Sequence, residues 1–211
     1  MILLDADSLL YKVGFSTQEE SEKIAISRIS TMLEEIIFTE LHDYDDYKVF
    51  LSGSENYRKE IDPQYKANRV SEKPKHYDIL KEYVLSAWAA DLSAGNEADD
   101  QVCIAAYEAG VDNCIIAHID KDLDQIPGKH YNYNKKEFYE INEFDALKNF
   151  YTQLLTGDRV DNVKGITGIG PKKAAKLLTD CKTEGDLYAA CCAAYKGDSD
   201  SLVRNARLLY L

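Results

Sequence analysis

Residues 157–178 read GDRVDNVKGITGIGPKKAAKLL, and this stretch divides the chain into two kinds of structure. It runs from acid (Asp158, Asp161) through glycine (Gly165, Gly168, Gly170) to base (Lys172, Lys173, Lys176). Glycine enters positive φ without penalty and proline is favoured at the first helical position. Gly165–Gly170 therefore predicts a tight turn, and Pro171 the start of a helix. Turn amides, the positive end of a helix and neighbouring lysines form an anion site that suits a phosphate. Asp158 and Asp161 would repel that phosphate. A divalent cation reconciles the two halves, because carboxylates hold Mg²⁺ through a few direct bonds plus waters and the metal bridges to a phosphate oxygen.

Upstream of this stretch, strand and helix patterns alternate. MILLDA (1–6), YKVFLSG (47–53) and NCIIAHI (113–119) read as buried strands, with short strands at HYNY (130–133) and EFYEI (137–141). Helical periodicity runs over 21–41, through Ile26, Ile29, Ile36 and Ile37, and 76–90, 97–109 and 143–155 also read as helices. Residues 55–75 are polar, basic and proline-containing, which predicts a long loop or lid in place of packed core. Everything after Gly157 reads as turn and helix. The expected fold class is α/β: a central, mostly parallel sheet flanked by helices, followed by a C-terminal helical region. The expected domains are 1–156, with the basic segment at 55–75, and 157–211.

With 211 residues, 45% of them hydrophobic, the chain can bury a real core. MILLDAD reaches an acid at Asp5, which argues against a signal peptide, and no run approaches a membrane span. The 5 cysteines are odd in number and form no C-x-x-C pair, so they read as reduced thiols of a cytoplasmic protein. A net charge of −12 argues at first against nucleic acid. Its distribution reverses that. Arg58, Lys59, Lys66, Arg69, Lys73 and Lys75 cluster in the 57–76 segment, and lysines crowd the glycine turn, so the excess acid lies elsewhere.

Much of that acid stands at the mouths of elements. Asp5 ends the first strand, where parallel sheets build ligand sites. Asp120 and Asp122 follow the third strand and, two residues apart in an extended segment, face one side. Glu97, Asp99 and Asp100 begin a helix, where acids are also ordinary complements of the helix dipole. Carboxylates converging without cations would raise one another's pKa values, and bound metal is the simplest remedy.

The segments LLDADSLLY, NYRKEIDPQYKANR with a following KPKHY, EADD, DKDLDQIP and GDRVDNVKGITGIGPKKA occur in that order. As an ordered set the chain resembles the 5′-nuclease (flap endonuclease) superfamily, and most closely the free-standing 5′→3′ exonucleases of bacteriophages. The resemblance spans nearly the whole chain. It implies that Asp5, Glu97 and Asp99, with Asp100 nearby, hold one Mg²⁺, and that Asp120, Asp122 and Asp161, with Asp158 close, hold or orient a second, Mn²⁺ being able to substitute. It implies that the glycine turn is a helix-hairpin-helix-type element gripping duplex DNA, with a K⁺ ion there. Arg58 and Lys66 would approach the scissile phosphate from a helical arch, Arg69 would contact DNA, and Tyr65 would stack on a terminal base.

The implied activity is metal-dependent hydrolysis of DNA near 5′ ends or flaps, by a monomer in a phage-infected bacterial host during DNA replication. RNA/DNA hybrid remains open as a substrate. Gly53 departs from the pattern: the family usually has an aspartate there, which implies weaker affinity at the first metal site unless Asp7 or a water compensates. Two rivals stand beside this reading. A PIN-like ribonuclease shares the acidic α/β centre but lacks the glycine-lysine element, and a catalytically inactive DNA-binding protein would use that element alone.

Overall fold

The computed structural model describes residues 1–69 and 72–211. The segment expected at 55–75 includes residues 70 and 71, which lie outside the described residues. In chain order the helices are α1 (Asp7–Ser16), α2 (Glu22–Glu34), α3 (Arg58–Ile61), α4 (Tyr77–Ala87), α5 (Ala98–Ala109), α6 (Glu143–Thr156), α7 (Pro171–Leu177), α8 (Glu184–Tyr195) and α9 (Ser199–Leu209). The strands are β1 (Ile2–Asp5), β2 (Tyr47–Leu51), β3 (Asp91–Leu92), β4 (Ile115–His118), β5 (Gly128–Asn132), β6 (Glu137–Ile141), β7 (Gly157–Asp158) and β8 (Val163–Lys164).

The chain forms two compact units. The first comprises Met1–Glu55, Ser71–Leu123 and Gly128–Glu140, and the second Asn56–Val70, Asp124–Pro127 and Ile141–Leu211.

The first unit is built on a sheet of order β3-β2-β1-β4-β5-β6. β1 pairs in parallel with β2 (Ile2↔Tyr47) and β4 (Ile2↔Ile115), and β2–β3 and β4–β5 are also parallel. Every residue of β1 is buried, as expected for a central strand covered on both faces, and this explains its unbroken apolar run. Parallel strands finish at one edge, so the residues just after β1, β2 and β4 gather there. α1, which the sequence reading did not pick out, buries Leu9, Leu10 and Val13 against this core. The helix expected over 21–41 is α-helical to Glu34 and continues as a π-helical turn, Glu35–Glu40.

The second unit has its own core, including Phe150, Leu154, Leu155, Ala174, Leu187 and Cys191. α6 is capped by Asn142, whose side chain accepts from the Asp145 amide, and α8 by a Thr183/Asp186 capping box. Tyr195 donates to the Leu154 carbonyl at 2.6 Å, and Asn205 to the Lys164 carbonyl at 2.8 Å. Two features depart from expectation. The stretch after Gly157 opens with an antiparallel pair, β7–β8, before it turns helical. Part of the 55–75 segment is packed, not a free lid: Tyr65 is buried in this core and Ile61 packs against it.

Candidate active site

In the first unit, Asp5 is the last residue of β1 and is 5% exposed. Burial first, then the charges of Asp7 and Asp99 and, more weakly, Asp120, pushes its carboxyl well above the ordinary aspartate value, against an amide hydrogen bond from Asp7. Charges from α1, α5 and the loop after β4 therefore all act on Asp5 at the end of β1. The loop after β4 is ordered by its own acid: the Asp122 amide donates to Asp120 Oδ1 at 3.0 Å. At the start of α5, Glu97 and Asp100 form a reciprocal capping box, while Asp99 supplies the charge felt by Asp5. Asp100 thus has a local structural task that its position in EADD does not reveal.

Asp7 and Gly53 organise the end of β2. Asp7 Oδ1 accepts the Ser52 amide at 3.0 Å, Ser52 Oγ accepts the Ala98 amide at 2.9 Å, and Lys81 Nζ donates to the Ser52 carbonyl at 2.6 Å. Ser93 lies against this turn, with its amide on the Leu51 carbonyl and its hydroxyl accepting the Gly53 amide. A Cβ on Gly53 would stand 2.1 Å from the Ser93 carbonyl oxygen. Gly53 is therefore held by close packing of two backbones, which leaves no room for the aspartate side chain that the resemblance would put there.

In the second unit, Asp158 Oδ1 accepts the amides of Val160 and Asp161 at 2.7 and 3.2 Å, so it builds the turn after β7. The Asp161 carboxylate accepts the Tyr65 hydroxyl at 2.8 Å and Arg69 at 2.6 Å, with Lys66 Nζ at 3.6 Å. Two expectations change as a result. Tyr65 is 4% exposed, so its ring does not offer a face to a base. Arg58 is 1% exposed and donates to the carbonyls of Leu208 and Tyr210 at 2.9 and 3.0 Å; it ties down the end of α9 and is not presented to a phosphate.

The glycine turn forms as expected, and Pro171 occupies the first turn of α7. Gly168 has φ of +80°, which a side chain rarely adopts, whereas Gly165 is needed because a Cβ there would meet the Thr156 and Gly157 backbone. Gly170 would accept a side chain without contact. Lys172 and Lys176 are exposed, while Lys173 folds back to donate to the Gly168 carbonyl at 2.7 Å.

No family model matches the chain. Among curated proteins, the 5′-3′ exonuclease of Bacillus subtilis is 26% identical over 210 residues, covering 87% of this chain and 71% of that protein. Among solved structures, the flap endonuclease of bacteriophage T5, in a pseudo-enzyme–product complex with DNA and metal ions, superposes with a TM-score of 0.71 at 18% identity, covering 99% of this chain and 89% of that one. By these matches the chain is similar to 5′-nucleases of the exonuclease and flap endonuclease kind. DNA polymerase I of Rhizobium leguminosarum is 33% identical over 156 residues, but these span 66% of this chain and only 15% of the polymerase. Among the described residues no helix is long and apolar enough to cross a membrane.

Sequence reading missed the support beneath Asp120. The Asp120 carbonyl can only accept, so His118 Nδ1, 2.6 Å away, carries a proton, and His118 Nε2 is the acceptor facing His130 Nδ1 at 2.9 Å and the Tyr139 hydroxyl at 3.1 Å. Burial, then the charge of His130, lowers the His118 pKa to about 3, so the ring is neutral. His118 lay in a run read as an ordinary strand, and nothing local signals that three distant side chains meet there. Tyr133, whose hydroxyl donates to the Asp5 carbonyl at 3.3 Å, was hidden in the same way.

Proposed function

We propose that the chain is a divalent-metal-dependent 5′-nuclease that hydrolyses phosphodiester bonds of DNA near 5′ ends, as a 5′→3′ exonuclease and flap endonuclease serving phage DNA replication. The observation that carries this reading is the buried Asp5 carboxyl among Asp7, Asp99 and Asp120. Such a group destabilises the fold unless a cation neutralises it, and an all-oxygen donor set suits Mg²⁺, with Mn²⁺ able to replace it. Asp5, Glu97 and Asp99, with Asp100, and the pair Asp120 and Asp122 are the residues that would hold metal. Bound there, metal supplies water of lowered pKa and offsets charge on a phosphoryl oxygen.

The remaining roles belong to side chains of the chain itself. Asp7 fixes the turn after β2, and His118 fixes the carbonyl of Asp120, so the acids are held before substrate arrives. Lys66 and Arg69 carry the positive charge for phosphodiester oxygens. The Gly165–Gly170 turn with Lys172 and Lys176 grips duplex backbone, and its carbonyls are the oxygen donors a K⁺ ion would use. The whole protein's names among its relatives, an exonuclease and a flap endonuclease, support the same substrate class.

The test is cleavage of 5′-labelled flap and overhang DNA with Mg²⁺ and with EDTA, beside an RNA substrate. Mg²⁺-dependent release of DNA products is expected, with Asp120→Asn slowing turnover at least about a hundredfold, as loss of a charged group at the reacting centre does. Full activity of that variant with a normal circular dichroism spectrum, or cleavage of RNA alone, would refute the proposal.

A further inference from the structure

We infer that His118, His130 and Tyr139 form a positioning network, built by β4, β5 and β6, that presets the Asp120–Asp122 loop to receive a divalent cation. This rests on the 5′-nuclease reading and deepens it with residues that act through the loop and not on substrate. The three side chains and the loop all lie in the first unit.

Strand register brings the groups together. β4 and β5 pair Ile116 with His130 and His118 with Asn132, so the two histidines stand on one face of the sheet, one pair apart. β6 lies beside β5 at the edge of the sheet and carries Tyr139. The Tyr139 ring stacks on His130, with centroids 5.2 Å apart and planes 20° from parallel, while His118 meets His130 edge-on at 5.1 Å and 72°. Both histidines are buried, where a polar atom is held by its hydrogen bonds.

The direction of each bond follows from the chemistry of the atoms. The Asp120 carbonyl can only accept, so its contact at 2.6 Å fixes a proton on His118 Nδ1. The ring is neutral and has one N–H, so Nε2 accepts, and both groups facing it donate: His130 Nδ1 at 2.9 Å and the Tyr139 hydroxyl at 3.1 Å. The other tautomer would set a lone pair against the Asp120 carbonyl oxygen and an N–H against the two donors. His118 thereby holds the backbone of the loop, while Asp120 Oδ1, by accepting the Asp122 amide at 3.0 Å, holds its turn. The loop is shaped before a cation arrives, and the entropy of ordering it is not subtracted from binding.

Three variants test the network. His118→Leu deletes the donor, His118→Asn puts a side-chain amide in its place, and Tyr139→Phe removes one oxygen and keeps the ring. The measurements are ¹⁵N NMR of the imidazole nitrogens, calorimetric Mg²⁺ titration without DNA, and the Mg²⁺ dependence of single-turnover cleavage. Wild-type His118 and His130 are both expected to be protonated at Nδ1. His118→Leu should raise the Mg²⁺ concentration for half-saturation at least about tenfold, the usual loss when the support of a metal ligand is removed. Tyr139→Phe should raise it about threefold, the scale of one neutral hydrogen bond, and His118→Asn should recover most of the affinity. A His118 proton on Nε2 would overturn the network, as would equal Mg²⁺ midpoints in the Leu and Asn variants. Should His118→Leu fail to fold, the tautomer and Tyr139→Phe decide, a wild-type midpoint in Tyr139→Phe being the refuting result. A wild-type chain that cuts no DNA would sink the nuclease reading alone, since the NMR and calorimetric measurements still decide the network.

Discussion

Asp5 shows what one buried carboxyl costs. Its pKa is raised in the fold by burial and by Asp7, Asp99 and Asp120, so the folded state binds the proton more tightly than the unfolded state. Stability contributed by the protonated form is then present at low pH and is lost as pH rises from the ordinary aspartate range through the raised value. In EDTA, Asp5→Asn is therefore expected to raise the melting temperature at neutral pH and to lose that advantage below about pH 4, where the wild-type carboxyl is protonated too. Thermal melts at both pH values measure this, and an asparagine variant less stable than wild type at neutral pH would contradict it. Gly53 makes the opposite point about adding an acid. With the Ser93 carbonyl 2.1 Å from where a Cβ would be, Gly53→Asp is expected to destabilise by roughly 1–3 kcal/mol, the usual cost of overpacking, and to yield no gain in Mg²⁺ affinity. Urea denaturation beside a calorimetric Mg²⁺ titration decides it.

At the scale of elements, the α6–turn–α7 hairpin divides its lysines between two tasks. Lys172 is exposed, whereas Lys173 donates to the Gly168 carbonyl and so helps to hold the turn. Lys172→Ala is expected to lower the slope of log K against log salt for duplex binding by about 0.9, one phosphate contact, with the melting temperature unchanged. Lys173→Ala should weaken binding and also cost about 0.5–1 kcal/mol through the loosened turn. Salt-dependent anisotropy and melts of the two variants separate these outcomes, and equal melting temperatures with equal slopes would remove the distinction. The elements themselves were largely legible. Unbroken apolar runs reported β1, β2 and β4, and helical patterns reported α2, α4, α5 and α6, each of which buries one consistent face. α1 escaped because it follows β1 after a single residue, Ala6, so the apolar run of the strand merges with Leu9 and Leu10. β3, β7 and β8 are two residues long and carry no pattern of their own.

At the scale of the molecule, Arg58 is a clamp within the second unit. Its guanidinium donates to the Leu208 and Tyr210 carbonyls and lies 4.8 Å from the Tyr57 ring centroid, so it holds the C-terminal helix to the segment that begins at Asn56. Arg58→Ala should cost about 3–5 kcal/mol, since two charge-assisted bonds are lost and the Leu208 carbonyl is left buried without this donor, and Arg58→Lys should recover little of it. Urea denaturation measures the loss, and cleavage per folded molecule should stay near wild type. A fully folded Arg58→Lys variant without activity would restore Arg58 to the chemistry.

The sequence by itself determined the α/β class, the order of the main elements, the glycine turn before Pro171 and the resemblance to 5′-nucleases, because propensity, periodicity and ordered motifs are properties of neighbouring residues. It also located the acids at the mouths of β1, β4 and α5. Only the tertiary structure decided what each charged residue faces. Asp161 meets Tyr65 across 96 positions and Arg58 meets Leu208 across 150, while Gly53 answers to the backbone of Ser93. Such pairings arise when distant segments pack, and burial then sets the worth of each charge, which no local pattern encodes.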